Sequence, residues 1–105
     1  MTAFTANHPK GSAQYTVTSG AVVELADAPD DGDALSETLG AGRAYIQNQS
    51  TTVNLRWRDD GGDPETARGQ QLFPSQTLPY EGDLSQFKMI SEGADVTVEV
   101  AYYGV

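Results

Sequence analysis

The sequence predicts an all-β fold, an antiparallel β-sandwich or flattened barrel of about seven or eight short strands. Three observations lead there. Several short runs alternate apolar with polar residues, the pattern of strands that bury one face. Eleven glycines and five prolines fall largely between those runs, where tight connections need them. The hydrophobic share of 38% lies below the usual share of about 45–50%, which also counts glycine, and fits a single pair of thin layers. At 105 residues the chain makes one domain. Residues 1–12 read as an N-terminal arm and 13–105 as the β domain.

The arm, MTAFTANHPKGS, has no period, and Phe4 is its anchor should it lie on a neighbouring subunit. Residues 14–18 (with Tyr15 and Val17) and 20–25 (with Val23 and Leu25) are β-prone runs separated by Ser19-Gly20, forming two strands or one bent strand. Residues 27–42, DAPDDGDALSETLGAG, are a long polar connection with one helical turn over 34–39, capped by Asp33 and ended by Gly40. Residues 43–48 resume strand character, with Ala44 and Ile46 on one side and Arg43 and Tyr45 on the other. Asn48-Gln49-Ser50 reads as a hairpin link to the next strand.

That next strand organises the chain. Val53, Leu55 and Trp57 face one way, and Asn54, Arg56 and Arg58 the other. It runs into Asp59-Asp60-Gly61-Gly62-Asp63-Pro64, turn formers that supply positive φ, side-chain caps and a fixed proline φ in quick succession. Residues 71–73 form a short strand ended by Pro74. Residues 76–80 contain Pro79, which lacks the amide a central ladder position needs, so they form an edge strand or an extended loop. After a turn at Glu81-Gly82-Asp83, residues 84–90 offer Phe87 and Met89 to one face and Ile90 to the other. Glu92-Gly93 turns the chain again. Residues 95–103 are the clearest strand, Val96, Val98, Val100 and Tyr102 alternating with Asp95, Thr97, Glu99 and Ala101, and it is expected to pair with its predecessor.

Fifteen acidic against six basic residues give a formal net charge of −9. A nucleic-acid binder needs a basic stripe to release counterions, so nucleic acid is not an expected partner, and an anionic membrane is disfavoured for the same reason. The charge itself favours solubility, and it also suits a saline environment or a basic partner surface. The absence of cysteine excludes disulfides and thiolate metal sites. No apolar run approaches the roughly 18 residues of a membrane span, and the N-terminus lacks the pattern of a signal peptide, so use without secretion is expected.

Catalysis finds little to work with. Nucleophilic chemistry needs a base beside an activated nucleophile, and the chain has no cysteine, one histidine (His8, in the arm) and no G-x-S-x-G elbow. Its carboxylates fall in loops, where water keeps them ionised instead of raising one pKa for acid work. A non-enzyme is expected. Calcium would want several converging oxygens, and the two acidic clusters are Asp27, Asp30, Asp31 and Asp33, and Asp59, Asp60, Asp63 and Glu65. Neither follows EF-hand spacing: Pro29 stands where a second ligand belongs, and no glutamate lies twelve positions after Asp27. Turn chemistry accounts for both clusters, so neither a metal nor another cofactor is expected. Arg56 or Arg58 paired with Asp59 or Asp63 would hold the acidic turn; the alternative is that Arg56, Arg58 and Arg68 meet an acidic partner patch. The phase of Trp57 sends it to the core, the alternative being a sugar-stacking platform.

Several of these residues carry a resemblance. Arg56-Trp57-Arg58-Asp59-Asp60-Gly61-Gly62-Asp63-Pro64, then Gly69, the strand at Leu72, the polar turn at Gly82, Phe87-Lys88-Met89-Ile90 and Val98-Glu99-Val100-Ala101-Tyr102-Tyr103 together resemble a group of small all-β virion proteins of tailed bacteriophages. The shared pattern is an Arg-aromatic-Arg strand, a D-G-x-x-P turn, a glycine, a Phe-x-x-Ile strand and a terminal valine strand ending in Tyr-Tyr. It spans residues 43–104, and the acidic turn is more charged here than in the pattern. The resemblance implies a structural protein of the virion, made in the host cytoplasm and placed on the capsid surface: a head decoration or cement protein that binds the major capsid protein as a dimer or trimer. Contact residues would then be Phe4, the turn with Arg56, Arg58, Asp59, Asp60 and Asp63, and the aromatic end Tyr102-Tyr103. The alternatives are a tail or neck subunit of the same fold, and a calcium-dependent carbohydrate-binding sandwich stacking sugars on Trp57, Tyr80, Tyr102 or Tyr103.

Overall fold

A computed structural model describes residues 8–104 as nine antiparallel strands in two packed sheets, the β-sandwich expected from the sequence. The strands are β1 (His8–Val17), β2 (Val23–Glu24), β3 (Asp31–Gly32), β4 (Ala41–Asn48), β5 (Leu55–Arg58), β6 (Gln70–Leu72), β7 (Thr77–Tyr80), β8 (Lys88–Ser91) and β9 (Val96–Gly104). One sheet has the order β3-β1-β9-β4-β7 and the other β2-β8-β5-β6. The alternation seen in the sequence sets the layers: Tyr15, Val17, Ile46, Val96, Val98, Val100 and Tyr102 point inward from the first sheet and meet Leu55, Leu72 and Met89 from the second, with Phe87 just ahead of β8. Ile90, out of phase with Met89, stays outside that cluster.

β1 begins at His8, so residues 8–12, which the sequence assigns to the arm, lie in the ladder against the end of β9. His8 is therefore a strand residue, while Phe4 lies outside the described residues. The expected helical turn is a 3-10 turn, Leu35–Glu37. Asp33 does not cap it: its carboxylate accepts from the Ser12 amide (3.2 Å), and Glu37 reaches back to the Ala34 amide (3.3 Å). The expected strand 84–90 likewise divides, because Asp83 accepts from the amide and hydroxyl of Ser85 and winds Leu84–Gln86 into a second 3-10 turn before β8 starts.

Two pairings differ from expectation for a common reason. β4 and β5 were expected to form a hairpin through Asn48-Gln49-Ser50, yet they belong to different sheets. Asn48 makes the crossing: fully buried, it donates its amide to the carbonyls of Val53 (2.8 Å) and Leu72 (3.1 Å) and accepts from the Ser50 amide (2.9 Å). Similarly, β9 pairs with β1 and β4 and not with β8. There the buried Ser91 hydroxyl binds the Ala94 carbonyl and the Gly93 amide, and the chain changes sheets. Both links bury a small polar side chain whose hydrogen bonds replace the ladder the backbone leaves.

β7 is an edge strand, as Pro79 requires. The Asn48 backbone N–H donates to the Gln76 carbonyl (3.0 Å), which makes that pair hydrogen-bonded and, by alternation, the Tyr45–Pro79 pair non-bonded. Pro79 thus lacks its donor on the open side, where a further strand would need it.

Candidate functional site

The acidic turn after β5 is the most elaborated surface feature, and its charges are mostly spent on each other. Arg58 grips Asp60 through two parallel contacts, Nε to Oδ1 at 3.0 Å and Nη2 to Oδ2 at 2.8 Å, and donates to the Asp63 carbonyl at 3.3 Å. The Gly62 amide completes the turn by donating to Asp60 (3.2 Å). A side chain at Gly62 would put its Cβ inside the Arg58 guanidinium, so the glycine makes the grip possible. The Arg58 hydrogen bonds, helped by the Gly62 amide, hold the Asp60 carboxyl down at about 2. Lys88 on β8 binds the Asp63 carboxylate (3.1 Å), and the Tyr80 hydroxyl donates to Asp59 (2.8 Å). Burial, followed by that bond to Asp59, pushes the Tyr80 phenol up.

Arg56 serves the opposite half of β5. It pairs with Glu92 and donates to the Gly69 carbonyl (3.1 Å), while Glu92 also accepts from Gln71 (3.0 Å) and Asn54 (3.4 Å). The Gln71 and Arg56 bonds lower the Glu92 pKa. Both expected arginines therefore pair internally, though with Asp60 and Glu92 where the sequence suggests Asp59 or Asp63. Glu65 and Arg68 exchange backbone hydrogen bonds (2.9 and 3.0 Å) and close the loop as a small hairpin. Between the loop and β6 lies an open depression of about 410 Å³, lined by Trp57, Arg58, Asp59, Asp60, Arg68, Gly69 and Gln70.

The aromatic residues separate by face. Trp57 packs against the core, stacked on Phe87 at 5.0 Å and edge-on to Tyr80 at 5.9 Å. Tyr102 is fully buried beside Tyr15, so its expected role as a contact residue is not available on this surface; burial raises its pKa. The strand alternation already placed it inward with the valines, and only its position near the chain end suggested otherwise. Tyr103 does face outward, half-buried and edge-on to Tyr45 at 5.7 Å. Of the proposed sugar platforms, Tyr80 and Tyr102 are buried, while Trp57 is half-buried, packed on the core and lining the depression.

Neither a family model, nor a curated protein, nor a solved structure matches this chain.

The first acidic cluster also resolves into turn chemistry. Asp27 accepts from the Glu24 amide (3.0 Å), Asp31 from that of Gly32 (2.9 Å) and Asp33 from that of Ser12. Among the described residues, no three His, Asp or Glu side chains converge in a way that would hold a metal ion. The sequence reading missed Tyr45 as partner of Tyr103, along with two exposed apolar side chains, Leu39 (82% exposed) and Phe73 (51%). Leu39 beside Gly40 and Phe73 beside Pro74 sit at element ends, where an apolar residue has no periodic partner to reveal its side.

Proposed function

We propose that this chain is a non-enzymatic structural protein of a tailed-phage virion, a decoration or cement protein that binds the major capsid protein and stabilises the shell. The observation that carries the reading is how the resembling segment is used. Its Arg-Trp-Arg strand is β5, its D-G-x-x-P turn is the loop gripped by Arg58, its Phe-x-x-Ile stretch enters β8, and its valine strand is β9 at the centre of the larger sheet. Each signature thus serves a rigid sandwich whose loops are braced from within. Such a body suits adhesion, in which many modest contacts on a stiff scaffold add up across a lattice.

The acidic exterior suits a basic face of the shell, reached quickly through electrostatic steering. Closed symmetry on the lattice implies a homo-oligomer. The test is rebinding: particles stripped of this protein, or assembled without it, are mixed with the purified chain and sedimented. Saturable co-sedimentation together with higher resistance to heat or chelation supports the reading. A chain that stays in the supernatant, or that turns over a substrate, sinks it.

A further inference from the structure

The chain contains two Asp-Gly pairs, Asp31-Gly32 and Asp60-Gly61, and all four residues are exposed. In such a pair the glycine nitrogen can attack the carboxyl group of the preceding side chain, because glycine puts no side chain in the way of the five-membered ring that forms. The fold treats the two pairs in opposite ways.

In Asp31-Gly32 the reacting groups face each other. The Asp33 amide donates to the Ser12 carbonyl (2.7 Å), which makes that pair hydrogen-bonded and, by alternation, the Ala13–Gly32 pair non-bonded. The Gly32 nitrogen is thus free of the β1 ladder, and it donates to Oδ1 of Asp31 (2.9 Å). β1 itself reserves the position for glycine: Gly32 has φ +92°, and a Cβ there would stand 2.2 Å from the Ser12 carbonyl oxygen. Asp60-Gly61 has the same two residues in a different arrangement. The Asp60 carboxylate is turned to Arg58 and to the Gly62 amide, one residue beyond the nitrogen that would have to attack. The same grip keeps it ionised down to about 2, whereas ring closure consumes the protonated carboxyl group.

We propose that Asp31-Gly32 is a site of spontaneous isomerisation, at which the folded chain converts its own aspartate to isoaspartate while Asp60-Gly61 is protected. The Gly32 nitrogen bonds to Cγ of Asp31, the Cγ–OH bond breaks, and the hydroxyl leaves with the amide proton as water, giving a succinimide. Water then adds to one of the two ring carbonyls. Opening at Cγ restores aspartate, and opening at the main-chain carbonyl leaves the chain running through the side chain. Water is the only co-reactant, and nothing is oxidised or reduced. The product carries one more methylene in its main chain, beside residues whose register is fixed. Ser12 and Asp33 are joined twice, by the main-chain bond and by the Ser12 amide on the Asp33 carboxylate (3.2 Å), and the longer link does not keep both. Conversion therefore loosens β3 from β1 and uncovers one edge of the five-stranded sheet. The chemistry belongs to this chain alone and is independent of the shell as partner.

The test is peptide mapping of the full chain after prolonged warm incubation at about pH 5. Isoaspartate is located by its altered retention at unchanged mass and by labelling with a protein isoaspartyl methyltransferase. In the folded chain the yield at Asp31 is expected to exceed that at Asp60 about tenfold or more, and in denaturing urea the two yields are expected to converge. Arg58→Gln, which releases Asp60, raises the yield there. Asp31→Glu, whose ring would need a sixth member, abolishes the signal at the first site. The converted chain, separated by ion exchange, shows faster amide hydrogen exchange at Ser12 and Asp33. Equal yields at the two sites in the folded chain, a yield at Asp31 below that of the denatured chain, or a converted chain whose Ser12 and Asp33 amides stay as protected as before overturns the proposal. Particles take no part in this readout, so its failure and a failure of shell binding are separable.

Discussion

Arg58 illustrates how an arginine beside an acidic turn becomes internal scaffolding, as expected, with a partner the sequence does not single out. The sequence showed its phase on β5 and the acidic turn beside it, which was enough to expect an arginine–carboxylate brace. It did not show which carboxylate, because the bidentate grip on Asp60 depends on backbone direction in the turn and on the space left by Gly62. Tyr102 teaches the converse. Its alternation with Val96, Val98 and Val100 fixed it inward, and that pattern outweighs nearness to the chain end. A titration follows from the grip. The Asp60 carboxyl sits at about 2 when folded, below the ordinary aspartate value of about 3.9. Its contribution is therefore complete above about pH 4 and is lost as the pH falls towards 2. The emission of Trp57, the only tryptophan and part of the same depression, is expected to report a transition near pH 2 that is missing in Asp60→Asn. An unchanged titration in the variant would assign the transition elsewhere.

At the scale of elements, most strands were legible, the two-residue β3 inside the expected polar connection 27–42 excepted, and their partners were not. Periodicity of two identifies a buried face, and turn formers mark where a strand ends, but neither tells whether the chain returns to the same sheet or crosses to the other. Asn48 and Ser91 decide that, and each looks like an ordinary turn residue in the sequence. Asn48→Ala is accordingly expected to cost about 2–3 kcal/mol in urea denaturation, since the Val53 and Leu72 carbonyls lose their donor in the interior. A loss under about 0.5 kcal/mol would mean that water or a shifted backbone takes its place. Pro79 was legible in full, because a missing amide has one consequence wherever it stands. Pro79→Val restores a donor on the open edge of β7, and the expected result is concentration-dependent aggregation visible in light scattering at unchanged secondary structure.

For the whole molecule the dominant fact is a net charge of −9 on 105 residues. Self-repulsion at neutral pH opposes compaction, and salt relieves it. The melting temperature is expected to rise with sodium chloride, by about 4 °C for each kcal/mol of repulsion screened. A fall with salt would show that the ion pairs of Arg56, Arg58 and Lys88 outweigh that repulsion. Cryo-electron microscopy of virions carrying a tagged form of this chain tests the central claim most directly. Tag density repeating over the head lattice is the predicted result, whereas density confined to the neck or tail, or no density on the particle, would contradict it.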